Sequence, residues 1–127
     1  VKNLKQKKIS IGNEAEIGGK ILSISKVKKD EVKIGKTKNV EFISADGLNS
    51  FFIVRIWEQG DKFFPIGMQG SKKISDYLND IKINSFEKKE QLVLENKGNI
   101  VWVIGKRLDD RFKVTPNTKK VLKLCLK

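Results

Sequence analysis

The sequence predicts a single α+β domain of mostly antiparallel strands with one or two short helices, and three observations lead to it. Apolar residues fall in short alternating or continuous blocks bounded by glycine, asparagine or aspartate, the pattern of strands in a sheet. The period changes to a helical one after Ser71, then returns to strand character. No internal repeat, low-complexity tract or linker divides the 127 residues, which suffice to bury one core. Strands gathered around one or two helices define the α+β class.

Taken in order, Ile21, Leu22, Ile24 and Val27 form the first strand-like run, entered from a turn at Gly18-Gly19. Val40 to Ile43 is the second, followed by a turn at Asp46-Gly47, and Phe51 to Ile56 is the third. From Ser71 onward, Ile74, Tyr77, Leu78 and Ile81 lie at i, i+3, i+4 and i+7, which stacks them on one helix face. Ser71, just after Gly70, is the expected N-cap. A second, brief helix is expected over Phe86 to Glu90 behind a cap at Ser85. Gln91 to Glu95, a turn at Asn96 to Asn99 and Ile100 to Ile104 read as a hairpin, and Val121 to Leu126 as a last strand.

With 39% apolar and 33% charged residues the composition is that of a soluble globular protein. No apolar run approaches the roughly 20 residues needed to span a bilayer, and Val1-Lys2-Asn3-Leu4 carries no signal-peptide block, so a cytoplasmic location without membrane contact is expected. Cys125 is the single cysteine and histidine is absent, which leaves no intramolecular disulfide and no His/Cys zinc cluster to be built.

Charge is more informative. The chain carries 27 basic and 15 acidic side chains, a net +12 that favours a polyanionic partner. Residues 1–50 hold 11 basic and 6 acidic groups, residues 51–80 hold 4 of each, residues 81–105 hold 4 and 3, and residues 106–127 hold 8 and 2. Both ends are basic and the middle is neutral, so the last segment is more than a solubilising surface.

Catalysis through a nucleophile needs an adjacent base, and without histidine only carboxylates remain. Asp109-Asp110 could bind a metal or act as acid and base, but it sits among Lys106, Arg107, Arg111 and Lys113, and salt bridges are the favoured role. Gly67 to Lys73 has glycines and lysines but not the Walker A spacing. It could instead form a turn feeding a helix start with Lys72 and Lys73 beside it, an arrangement suited to a phosphate, or simply a turn with solvated lysines. Trp57, Phe63, Phe64, Trp102 and Phe112 could stack on bases, but core packing is the stronger reading, most of all for Trp102 between Val101 and Val103. Cys125, between Leu124 and Leu126, reads as an inert strand residue.

Two long blocks carry a resemblance. The first runs from Arg55 through Trp57, Gly60-Asp61, Phe63, Pro65, Gly67-Met68, Gly70, Lys72-Lys73, Ser75-Asp76 and Leu78 to Asp80. The second runs from Ile100 through Trp102, Gly105-Lys106-Arg107 and Asp109-Asp110-Arg111-Phe112-Lys113 to Thr115, continuing through Thr118 and Lys119. In this order they resemble the C-terminal domain of bacterial tRNA(Ile)-lysidine synthetases. Asn39 to Phe42 and Ala45-Asp46 look like the strand and turn preceding the first block there. Departures are Asn84, where many relatives have proline, and Lys88 or Lys89, where they often have arginine. The resemblance makes residues 1–127 one domain, with 1–50 a basic, β-rich lead-in and 51–127 the main family motifs.

The resemblance implies a role in an enzyme that uses ATP and Mg to attach lysine to the wobble cytidine of tRNA(Ile). Its Ser-Gly-Gly-x-Asp-Ser ATP loop does not occur in these residues, which are therefore expected to hold no cofactor and to be catalytically silent. The implied partners are tRNA(Ile), held toward the acceptor stem, and the N-terminal catalytic domain of the same chain. The RNA-facing set is expected to be Arg55, Lys72, Lys73, Lys106, Arg107, Arg111, Lys113, Lys119 and Lys120, acting mainly on phosphates. The alternatives are a protein-interaction domain, such as a homodimer, with incidental charge, and a small enzyme with Asp61, Asp76, Asp80, Asp109 and Asp110 in a cleft.

Overall fold

A computed structural model describes residues 6–33 and 39–127. Val1 to Leu4, expected to carry no signal block, lie outside the described residues. Among the described residues eleven strands run in chain order: β1 (Lys7–Ser10), β2 (Glu14–Ile17), β3 (Lys20–Val27), β4 (Val40–Ser44), β5 (Phe51–Ile56), β6 (Lys62–Phe63), β7 (Lys72–Lys73), β8 (Leu92–Asn96), β9 (Asn99–Val103), β10 (Arg107–Leu108) and β11 (Val121–Leu126). Helices α1 (Ile74–Asp80) and α2 (Ser85–Glu90) fall between β7 and β8, and single 3-10 turns lie at Lys29–Glu31 and Asp110–Phe112.

Every strand pairing is antiparallel. One sheet has the order β1-β5-β8-β9-β10, a second β2-β3-β11-β4, and β6 pairs with β7 alone. The sheets pack face to face because alternate residues of each are apolar: Ile9, Phe52, Val54, Leu94 and Trp102 from the first meet Leu22, Ile24, Ile43, Leu122 and Leu124 from the second. The opposite face of the first sheet offers Val93, Ile100 and Val103 to Phe63, Ile74, Tyr77 and Leu78. Phe63 and Tyr77 meet edge to face at 5.2 Å. The result is three layers, with the five-stranded sheet in the middle and buried on both sides. β11, from the end of the chain, lies between β3 and β4 of the lead-in, so the two halves share one core.

The expected α+β class and its main strands are present. Gly18-Gly19 closes the β2–β3 hairpin as a two-residue loop with φ of +59° and +81°, a conformation glycine adopts without steric cost. The Asn96–Asn99 turn closes the β8–β9 hairpin, and the Asn96 amide donates to the carbonyls of Asn49 and Phe51, fixing the hairpin to the entry of β5.

Both expected helix caps move. Lys72 and Lys73 are extended and paired with Phe63 and Lys62, so α1 begins at Ile74, whose N–H donates to the Asp61 carbonyl, and Ser71 caps nothing. Burial of Phe63 and Ile74 on the same core favours the strand pair over an earlier helix start. In α2 the cap is Asn84, whose side-chain oxygen accepts from the Glu87 N–H at 2.7 Å, and Ser85 is the first helical residue. β1, β2, β6, β7 and β10 were not expected as strands. They are short, and all five occupy sheet edges or the separate two-stranded pair.

Candidate nucleic-acid interface

The β9–β10 turn and the segment after it carry the densest group of expected site residues. Trp102 and its neighbours anchor β9 in the core, so the chain emerging at Gly105 is held at a fixed height above the first sheet. Lys106 pairs with Glu87 of α2 at 3.2 Å. Arg107 donates from Nη1 to the Ile66 carbonyl at 2.9 Å, and its guanidinium lies 5.9 Å from the centre of the Tyr77 ring. The loop Phe64–Gly67 is brought alongside by a bridge between Pro65 and Asp109.

Arg111 follows one turn later. Its guanidinium lies 4.4 Å from the centre of the Phe64 ring and 5.6 Å from that of Phe112. It donates from Nε and Nη2 to the Asp109 carboxylate, each at 3.0 Å. Lys113 pairs with Asp110 at 3.0 Å. The expected salt-bridge role of Asp109-Asp110 is therefore what the structure shows.

Lys72 and Lys73 lie beside Lys62 and Phe63 in the small strand pair, next to the Phe64 loop. Lys72 pairs with Asp80 at 2.6 Å, and that hydrogen bond raises its pKa. They run directly into α1, with Lys73 at its N-cap position in extended conformation. At the start of this seven-residue helix the Ile74 N–H is already taken by the Asp61 carbonyl.

Arg55 lies apart from these residues and is largely buried. Its side chain is only 14% exposed, with Nη1 and Nη2 bonded to Asp61 at 2.9 and 3.1 Å, Nη1 also to the Ile56 carbonyl, and Nε bonded to Glu95. The Asp61 hydrogen bonds, with those to Glu95, push its pKa still higher. A guanidinium held by two carboxylates has most of its donors occupied and little surface left for a polyanion.

Lys119 and Lys120 form a separate group at the start of β11. Their backbone N–H groups both donate to Asp46, each at 2.8 Å, while their side chains are exposed beside a groove of about 410 Å³ with Lys26 on its rim. These backbone hydrogen bonds hold the Asp46 carboxyl below its ordinary value of 3.8. A carboxyl lowered in the native state stabilises the fold above its unfolded pKa and loses that contribution as pH falls through the native one. Asp46→Asn should thus melt below the parent at neutral pH, and the gap should shrink below about pH 4. Melting curves at neutral and acid pH check this; a gap that does not change with pH sinks it.

Sequence reading missed Asp109 as a hub, although its place between Arg107 and Arg111 was visible. Tyr77, Phe64 and Lys62 also belong to this face. Of the aromatic candidates for stacking, Trp102 and Phe63 are fully buried, Trp57 donates to the Lys88 carbonyl, and Phe112 packs on the core. Among the described residues the aromatic side chain left open is Phe86 on α2, at 74% exposure. Asp61, Asp80, Asp109 and Asp110 each pair with a separate cation instead of sharing a cleft. No three His, Cys, Asp or Glu side chains gather among the described residues where a metal ion could sit. Nor is any described helix long and apolar enough to cross a membrane.

Against known proteins, residues 52–124 match the family model described as the TilS substrate C-terminal domain. A tRNA(Ile)-lysidine synthase of Parabacteroides distasonis is 42% identical over 89 residues, covering 70% of this chain and 20% of that protein. One of Clostridium perfringens is 36% identical over 128 residues, covering 97% of this chain and 26% of that protein. The chain thus spans about a fifth to a quarter of these curated relatives. A solved structure titled "Crystal structure of TILS C-terminal domain" superposes with a TM-score of 0.81 over 97% of both chains at 16% identity, a likeness of fold.

Proposed function

The chain belongs to the family of tRNA(Ile)-lysidine synthase C-terminal domains, and from that premise we propose that it grips tRNA(Ile) on the acceptor-stem side, without catalysing, for a ligase that joins lysine to the wobble cytidine. ATP and Mg would serve that reaction in the N-terminal catalytic domain of the longer protein, which would work in the cytoplasm. The observation that carries the reading is the pair Arg107 and Arg111, each laid against an aromatic ring on a basic segment beside the Phe64 loop. Guanidiniums fixed in this way suit phosphate oxygens, and the deep, narrow major groove of an A-form stem favours recognition by shape and backbone. Lys62, Lys73 and Lys106 extend the same face, while Lys119 and Lys120 offer a second contact. Arg55 has no part in it.

Titrating the 127-residue chain with tRNA at several salt concentrations tests this. Affinity should fall as salt rises. Arg107→Ala with Arg111→Ala should weaken binding about tenfold and flatten the log–log salt slope by roughly 1.5, the release of ions from two phosphates. Affinity indifferent to salt, or a double variant that binds like the parent, overturns the assignment. A second reading, docking onto the catalytic domain or onto a twin subunit, is favoured by one feature: Phe86 and Ile81 are exposed on either side of the α1–α2 turn.

A further inference from the structure

We infer that Asp109 is a positioning residue for RNA binding: it builds Arg111 into a preformed, two-point phosphate ligand. The inference rests on the RNA-binding reading above and adds to it a residue that itself touches no RNA.

Asp109 is 0% exposed, unusual for a carboxylate, and its surroundings account for it. Four N–H groups converge on it: the backbone of Phe64 at 2.9 Å, the backbone of Arg111 at 2.8 Å, and Arg111 Nε and Nη2 at 3.0 Å each. Four donors match the roughly four lone-pair sites of an ionised carboxylate, so it has no capacity left for a ligand. Its own N–H donates to Val101 of β9, tying the carboxylate to the central sheet.

The consequence falls on Arg111. The Nε–Nη2 side of a guanidinium faces one carboxylate, which by the planar geometry of the group directs the edge bearing Nη1 away from it. The Phe64 ring covers one part of the plane at 4.4 Å. The side chain nonetheless remains 39% exposed, against 0% for its partner. Lysine or an unheld arginine must lose rotamer freedom when it meets a phosphate. Arg111 has lost that freedom on folding, and its outward edge is a fork fitted to two oxygens of a phosphodiester. Asp109 also sets the Phe64 loop through the Phe64 N–H, so the same carboxylate fixes the ring and the guanidinium laid on it.

A double-variant cycle on the 127-residue chain, with tRNA Kd at one low salt concentration, tests this. Asp109→Asn places an NH₂ group against the Arg111 donors and should raise Kd about tenfold although every cation is kept, the cost of releasing one charge-assisted two-point contact. The same substitution made on Arg111→Ala should add less than about twofold, since its effect runs through Arg111. Arg111→Lys, which keeps the charge but not the fork, should bind nearly as weakly as Arg111→Ala, and it keeps the test open if Asp109→Asn does not fold. An Asp109→Asn effect that is undiminished without Arg111 makes Asp109 merely structural and overturns the inference. Arg111→Lys binding like the parent overturns it too, because a point charge would then suffice. If the parent chain itself does not bind tRNA, the RNA-binding reading fails first and takes the inference with it.

Discussion

Arg55→Ala should lower the unfolding free energy by about 3 kcal/mol while leaving the salt dependence of tRNA binding where it was. The guanidinium joins Asp61, at the entry to β6, to Glu95 on β8, and all three side chains are less than one-fifth exposed. Truncation leaves two carboxylates facing one another on the α1 side of the first sheet with no cation between them, the costly way to break an interior pair. Arg55→Lys should recover only part of the loss, because an ammonium cannot satisfy Asp61 in two-point fashion and Glu95 at once. Urea unfolding reports the first effect, and a salt titration of a folded sample the second. An unchanged midpoint, or a salt slope that drops by one phosphate, would return Arg55 to the RNA-facing set.

Trp102→Ala should cost more, about 4 kcal/mol. Trp102 is fully buried on β9, opposite Leu94 on one side and Leu108 on the other, and it is the largest side chain between the two sheets. Alanine there leaves a void that rigid strands cannot close, and 4 kcal/mol is a large part of the roughly 5–15 kcal/mol that holds a domain together. Trp102→Phe should cost far less, about 1 kcal/mol, because the indole Nε1 has no hydrogen-bond partner among the described residues and its removal relieves a buried orphan donor. The loss should reach function as well, since β9 carries the turn from which Arg107 and Arg111 are presented. Denaturant midpoints of the two variants check the order; a Trp102→Ala cost near that of Trp102→Phe would contradict the packing argument.

What the sequence determined by itself was the local grammar and the company it keeps. The apolar blocks Phe51 to Ile56 and Ile100 to Ile104 and the alternation in Val121 to Leu126 pointed to strands, Gly18-Gly19 to a turn, and Ile74, Tyr77 and Leu78 to a helix, because each signal is complete within a few residues. The two ordered blocks from Arg55 to Asp80 and from Ile100 to Thr115 were enough to point to the family. Short polar strands such as Lys7–Ser10 escaped because one apolar residue makes no pattern, and their backbones are held by neighbours instead. The start of α1 escaped for the same reason: pairing of Lys72 and Lys73 with β6 is a contact across ten residues, stronger there than the capping preference of Ser71.

The tertiary structure alone decided which charges are free. Arg55 and Arg111 are both expected in the chain to face RNA, the first between Val54 and Ile56, the second between Asp110 and Phe112. Sheet register sets Arg55 two positions from Glu95 across the β5–β8 ladder, on the same face and forty residues away in sequence, and the chain reversal into β6 brings Asp61 to its other side. Asp109, by contrast, sinks below the surface and leaves Arg111 above it with one edge outward. An ion's availability depends on where its partner carboxylate stands and how far both are from water, and those are set by strand pairing and layer packing, which no short run of residues contains.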